Sequence, residues 1–175
     1  YTHATSYVLP VKPSPNLPNA RSIELYPTLC FFEGTQLSVG RGTVYPFQVV
    51  GHPLLKDKMP DNFSFTPLAS KDSPSPLQAG KICYGYNFSL PAAPQPGEWI
   101  DTLPGIKIEL LIDLYRRFPD KSVFFNKDNF FDKLAGNSDF RKDLASGKSA
   151  SEIRKKWEPA LTEFKKIRQK YLLYD

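Results

Sequence analysis

The 175 residues contain only two cysteines and two histidines. His3 and His52 are far apart, and neither has a paired Cys or His spacing beside it, so a zinc site is not expected. Cys30 and Cys83 each lie in an apolar run, Leu29-Cys30-Phe31-Phe32 and Ile82-Cys83-Tyr84. Both read as buried thiols, and a disulfide between them stays open. No apolar run approaches the length that crosses a bilayer. The opening Tyr1-Thr2-His3-Ala4-Thr5 lacks the basic, apolar and small-residue parts of a secretory signal. Because the chain does not start with Met, it reads as a piece of a larger protein or as a processed chain. A phosphate-binding Gly-Lys-Ser/Thr ending is missing, as is a Gly-x-Gly-x-x-Gly run entering a helix. There is no internal repeat.

What is present is apolar and aromatic. Hydrophobic residues make up 41% and aromatics 14%, enough for one well-buried domain and against disorder. Seventeen prolines against ten glycines point to long ordered loops and extended connectors. The net charge of +5 and pI of 9.1 hint at an anionic partner without choosing its class.

Residues 1–18 form a proline-rich entry segment, extended from Leu9 to Pro18, in which Asn16 is placed to anchor a turn. Ser22–Tyr26 precedes Pro27 as a short helix or strand. Thr43–Val50 has strand composition, with Pro46 suggesting an edge. Phe63–Leu68 alternates like a half-buried strand, and 70–80 is a loop. Lys81–Leu90 is the clearest strand, with Ile82, Tyr84, Tyr86, Phe88 and Leu90 on one face. The period then changes. Ile108, Leu111, Ile112, Tyr115 and Phe118 predict a helix ending at Pro119, with Asp113 paired to Arg116 or Arg117. Short helices stop at Gly136 and Gly147. Ser149 and Glu152 form a capping box, with Ile153 and Trp157 following on one face. Pro159 is expected in the first turn of a last helix, whose stripe is Leu161, Phe164, Ile167 and Tyr171. Strands first and helices last predict an α+β fold: a small mixed or antiparallel sheet packed by C-terminal helices.

One stretch concentrates chemistry: Glu33-Gly34-Thr35-Gln36-Leu37-Ser38-Val39-Gly40-Arg41-Gly42-Thr43. Arg41 between two glycines suits a planar carboxylate or a phosphate. Thr35, Ser38 and Thr43 suit sugar hydroxyls. The competing reading is a surface turn in which Arg41 pairs with Glu33 or faces water. A nucleic-acid role for the C-terminal helices is disfavoured, since Lys155, Lys156, Lys165 and Lys166 interleave with Glu152, Glu158 and Glu163 and no stacking platform accompanies them.

Several runs carry a resemblance. They are Leu9-Pro10 with Pro13-Ser14-Pro15-Asn16-Leu17-Pro18, and Tyr26-Pro27-x-x-Cys30-x-x-Glu33-Gly34-Thr35-x-x-Ser38-x-Gly40-Arg41-Gly42-Thr43-x-x-Pro46-Phe47. Leu134-Ala135-Gly136 and Trp157…Leu161…Phe164…Arg168…Tyr171-Leu172-Leu173-Tyr174 complete the order. Together the chain resembles the C-terminal portion of the bacterial exo-β-N-acetylmuramidases, the NamZ/YbbC-like glycoside hydrolases. The resemblance implies a parent that releases N-acetylmuramic acid from the non-reducing end of peptidoglycan fragments, without a cofactor, in the periplasm or outside the cell. It implies that residues 1–175 are one domain, the C-terminal half of a two-domain enzyme. A Rossmann-like N-terminal domain would carry the catalytic glutamate and share an interdomain cleft. Under that resemblance the substrate-binding set here is Asn16, Glu33, Gly34, Thr35, Ser38, Gly40, Arg41, Gly42 and Thr43. Arg41 would read the lactyl carboxylate, and Glu33 would orient it or accept a hydroxyl. The expected partners are a muramic-acid-containing glycan and the N-terminal domain, not nucleic acid. The alternative is a stand-alone binding module without catalysis. Gly51-His52-Pro53 departs from the family, where a small residue is expected, and His52 is expected at the rim of the site. Nothing is carried over for residues 56–96.

Overall fold

The computed structural model describes residues 9–89 and 105–173. The first eight residues of the entry segment, and Leu90 of the expected strand face, lie outside them. From Leu9 the entry segment runs to a turn closed by Leu17 N–H on the Ser14 carbonyl at 3.0 Å. Helix α1 (Ala20–Leu29) starts at Asn19, which accepts from the Ser22 amide, while Ser22 Oγ serves the Asn19 amide in return. The helix passes through Pro27 and tightens into a 3-10 turn, Cys30–Gly34.

The sheet has three antiparallel strands in the order β1–β3–β2: β1 (Val49–His52), β2 (Ser64–Phe65) and β3 (Cys83–Asn87). Val49 lies opposite Asn87 and His52 opposite Tyr84, while Phe65 lies opposite Cys83. The expected strand over 43–50 is corrected to 49–52. A bend at 43–44 and a turn at 46–48 replace it, with Phe47 held at φ 53° and its amide bonded to the Val39 carbonyl. Most of the expected strand 63–68 is likewise irregular, paired only at Ser64 and Phe65. On β3 the expected face is not the more buried one. Ile82 is exposed, whereas Cys83 is fully buried with Val49 and Phe65 in a small satellite core. Both cysteines are free thiols.

Helix α2 (Ile108–Arg117) buries Ile108, Leu110, Leu111, Ile112 and Leu114, as its spacing predicts. Asp113 takes both carboxylate bonds from Arg117 Nε, at 2.9 and 2.8 Å, and a third from the Tyr86 hydroxyl at 2.8 Å. Helices α3 (Phe130–Ala135) and α4 (Asp139–Ala145) follow, each ending one or two residues before a glycine at positive φ. The main core is aromatic. Phe131 meets Phe125 at 4.9 Å, Phe140 at 5.4 Å and Phe31 at 5.7 Å.

Helix α5 (Ala150–Gln169) is one continuous element, so Pro159 does not begin a helix; it sits inside one. The missing amide leaves the Lys155 carbonyl without its helical donor, on a face that is exposed. The expected core stripe of Leu161, Phe164, Ile167 and Tyr171 is exposed, and within α5 only Ile153 is buried. Helices and a small antiparallel sheet thus make the α+β fold. Among the described residues, no helix is long and apolar enough to cross a membrane.

His52 is 7% exposed and faces the Phe118 ring at 4.9 Å, not the rim of a site. Its Nδ1 accepts from the Leu54 amide at 3.0 Å, opening the turn Pro53–Leu55. The ring proton therefore resides on Nε2, and a second proton would break that cap. Burial, reinforced by Lys81, pulls its pKa from 6.5 to about 4. Between these values the unfolded chain holds a proton that the folded chain does not. Stability therefore falls as pH drops through the window, by up to about 3 kcal/mol. His52→Asn retains an acceptor for the Leu54 amide. Its unfolding midpoint, followed from pH 7 to pH 4, is expected to lose the extra slope that the parent chain shows there.

Candidate functional site

Four chain segments meet at a concavity of about 470 Å³. The 3-10 turn supplies Glu33, and the loop after it supplies Leu37, Ser38, Val39 and Arg41. The loop between β2 and β3 supplies Ser73–Leu77, and the residue after Phe125 supplies Asn126.

Each wall is fixed by main-chain and side-chain hydrogen bonds. Asn126 is clamped twice: its amide donates to the Gly34 carbonyl at 3.0 Å, and its Nδ2 to the Glu33 carbonyl at 2.9 Å. Gln36 Nε2 in turn donates to Asn126 Oδ1 at 2.8 Å. Ser38 exchanges both main-chain bonds with Gly51, at 2.9 and 3.0 Å, which ties the loop to β1. The 70s loop is held by Gln78 Nε2 on the Gln36 carbonyl at 3.2 Å and by the Leu68 amide on the Gly42 carbonyl at 2.9 Å.

Arg41 Nη1 donates to Glu33 Oε1 at 3.0 Å, with the side chains 43% and 21% exposed. Among the described residues, Arg41 Nε and Nη2 and Glu33 Oε2 have no protein partner. The guanidinium is thus braced at one corner and open along the edge that matches a carboxylate. The last turn of α1 lies beside the pair. Burial first, then the Glu33 carboxylate, pushes the Tyr26 phenol up, while Arg41 pulls it back. Burial and Glu33 likewise raise the Cys30 thiol.

Of the nine residues singled out in the sequence, Glu33, Ser38 and Arg41 line this concavity. The other six surround it. Thr35 is fully buried; its hydroxyl donates to the Phe32 carbonyl at 2.7 Å and accepts from the Leu37 amide at 3.1 Å. Thr43 Oγ1 donates to the Gly40 carbonyl at 2.7 Å and accepts from the Tyr45 amide at 2.9 Å. Asn16 Nδ2 reaches the Asp72 carbonyl at 3.3 Å, tying the entry segment to the base of the 70s loop. Gly34, Gly40 and Gly42 serve close packing of the chain on itself. At Gly42, φ is +80° and a Cβ would lie 2.4 Å from the Leu68 carbonyl oxygen and 2.8 Å from Pro76 Cγ. That contact lets the 70s loop stand as a wall. Ser73–Leu77 and Asn126 were not singled out by sequence. The alternation Ser73-Pro74-Ser75-Pro76 marks a stiff loop, but nothing in it names a pocket, and Asn126 carries no local signal at all. Among the described residues, no group of three His, Cys, Asp or Glu could hold a metal ion.

The mixture of an arginine fork, a carboxylate, three serines and apolar walls suits a small polar ligand with an acidic arm and a methyl or ring face. Residues 24–174 match the family model described as exo-beta-N-acetylmuramidase NamZ, C-terminal. The peptidoglycan beta-N-acetylmuramidase NamZ of Bacillus subtilis (strain 168) is 31% identical over 180 residues, covering 94% of this chain and 40% of that protein. The crystal structure of a DUF1343 family protein from Bacteroides fragilis NCTC 9343 superimposes with a TM-score of 0.86 at 43% identity, over all of this chain and 47% of that one. A second DUF1343 family protein of the same organism, at 18% identity and a TM-score of 0.71, shares the fold. The chain spans less than half the length of each of these relatives. With the match running through both the pocket loops and the last helix, the chain belongs to the family of NamZ-type exo-β-N-acetylmuramidase C-terminal domains.

Proposed function

We propose that this chain is the substrate-recognition half of a two-domain peptidoglycan exo-β-N-acetylmuramidase, working outside the cytoplasm beside a Rossmann-like N-terminal domain. The observation that carries the reading is the Glu33–Arg41 pair set in the wall of a concavity. N-acetylmuramic acid differs from N-acetylglucosamine by a lactyl ether ending in a carboxylate. The open Nε–Nη2 edge of Arg41 offers that carboxylate two parallel bonds. Glu33 holds the guanidinium at its far corner and is a positioning residue. Its free Oε2 is an acceptor for a sugar hydroxyl. Bond cleavage is assigned to groups outside this chain, in keeping with a pocket that contains one carboxylate where most glycosidases use two.

The expected result for Arg41→Ala is a loss of preference for N-acetylmuramic acid over N-acetylglucosamine of between about 10- and 100-fold, the worth of a charge-assisted fork. Calorimetric titration of each sugar into the wild-type and variant parent measures it. Equal preference before and after the substitution would refute the role of Arg41. The alternative, a stand-alone glycan-binding module, is separated by turnover of a chromogenic muramic glycoside. The enzyme reading requires turnover by the full-length parent.

A further inference from the structure

Helix α5 is anchored at one end only. Its capping box at Ser149, the buried Ile153, the Arg154–Glu109 ion pair and the contact of Trp157 with Phe140 at 5.0 Å fix its first two turns. From Glu158 onward, every residue of the helix is exposed. Yet the outer half is not a solvated helix in composition. Leu161, Phe164 and Ile167, at 48%, 56% and 56% exposure, continue at three- and four-residue spacing the side on which Trp157 meets the core. Lys155, Lys166 and Lys170 occupy the opposite side. At the foot of the stripe, Trp157 and Leu161 form one wall of a groove of about 1000 Å³ whose other wall is Ile106 and Ile108.

A three-turn helical extension exposing three large apolar side chains is marginal in water by itself, and a contiguous patch of this kind marks a contact surface. Two facts say what covers it. The family match runs to residue 174, and the Bacteroides fragilis structure superimposes on all of this chain, so α5 belongs to the shared domain and is not a tail. That same chain and the Bacillus subtilis protein each have more than half of their length beyond the matched part.

We propose that the outer half of α5 is the docking rib for the other half of the parent polypeptide. The partner surface would be an apolar strip, with a carboxylate beside it to meet Lys165. The inference rests on the two-domain reading above, but not on the identity of the glycan. Intramolecular domain contacts are of the size such a rib and groove provide. The rib would then carry the relative placement of the two walls of the cleft.

Amide hydrogen exchange over residues 158–169 tests this. In this chain alone these amides are expected to exchange fast, and equally fast at 10-fold different protein concentrations. In the full-length parent they are expected to slow by 100-fold or more. Phe164→Glu in the full-length parent should return them to fast exchange, and in this chain alone it should leave the unfolding midpoint unmoved. Protection in this chain alone that rises with concentration would overturn the proposal in favour of a second copy. Fast exchange in the full-length parent would overturn it outright. Loss of muramic-acid preference is read separately from protection. A protected rib in a parent that ignores muramic sugars would sink the glycan reading and leave the docking rib standing.

Discussion

Gly34→Ala is expected to cost about 3 kcal/mol or more, lowering the unfolding midpoint by on the order of 10 °C or preventing folding altogether. A Cβ on residue 34 would lie 2.4 Å from Phe131 Cα and 2.5 Å from its amide nitrogen. Both are backbone atoms of α3, so no rotamer change relieves the overlap. The 3-10 turn and α3 must separate, and that opens the packing of Phe131 on Phe31 and Phe140. The double variant Gly34→Ala/Phe131→Ala is therefore expected to be no more stable than the single one. Circular-dichroism melts of the parent and the two variants check this. If Gly34 instead served only the approach of a ligand, Gly34→Ala would melt like the parent and bind weakly. A normal melt would thus refute the packing argument.

Asp143→Ala is expected to cost about 3 kcal/mol. The Asp143 side chain is 6% exposed and accepts from Lys148 Nζ at 2.6 Å and Lys156 Nζ at 2.9 Å. Lys156 also reaches Asp139 at 3.3 Å. The carboxylate therefore clips the end of α4 to the start of α5. Both lysines are partly exposed and regain water when it is removed, which keeps the loss below that of a fully buried pair. Asp143→Asn retains the shape and one acceptor, and should recover part of the loss. Lys148 first, and then Lys156, hold the Asp143 carboxyl below the usual carboxylate range. Its stabilisation is present above the unfolded value near 4 and is lost as pH falls through the lowered folded value. The alanine variant should lack that low-pH limb. The His52 effect occupies the window above it and has a different origin: there a buried base resists gaining a proton. Melts of the single and double variants from pH 7 to pH 3 separate the two, since the sites share no partner among the described residues.

The sequence was most legible where one physical rule acts alone. The α2 stripe, the Ser149 capping box and the glycine stops at 136 and 147 follow from periodicity and local backbone chemistry, and all appear at the expected residues. Legibility failed where tertiary contacts decide. Thr43–Gln48 has the composition of a strand, but the turn at Gly40–Thr43 and the Phe47–Val39 bond fold it back. The stripe after Pro159 has core composition, and among the described residues it enters no core. In the candidate site, Glu33 and Arg41 stood out because an acid, a cation and glycines are crowded within nine residues. Asn126 and Ser73–Leu77 come from far along the chain, and only closure of the fold brings them alongside.

The touching of Gly42 and Pro76 has a consequence for how such a protein can diversify. The cation stands on one hairpin-like segment and the opposing wall on another, joined where a side chain is forbidden. Exchanging residues 73–77 between family members would alter the contour of the concavity while leaving the Glu33–Arg41 pair in place. The shape of that wall can thus drift in one loop without disturbing the ion pair on the other.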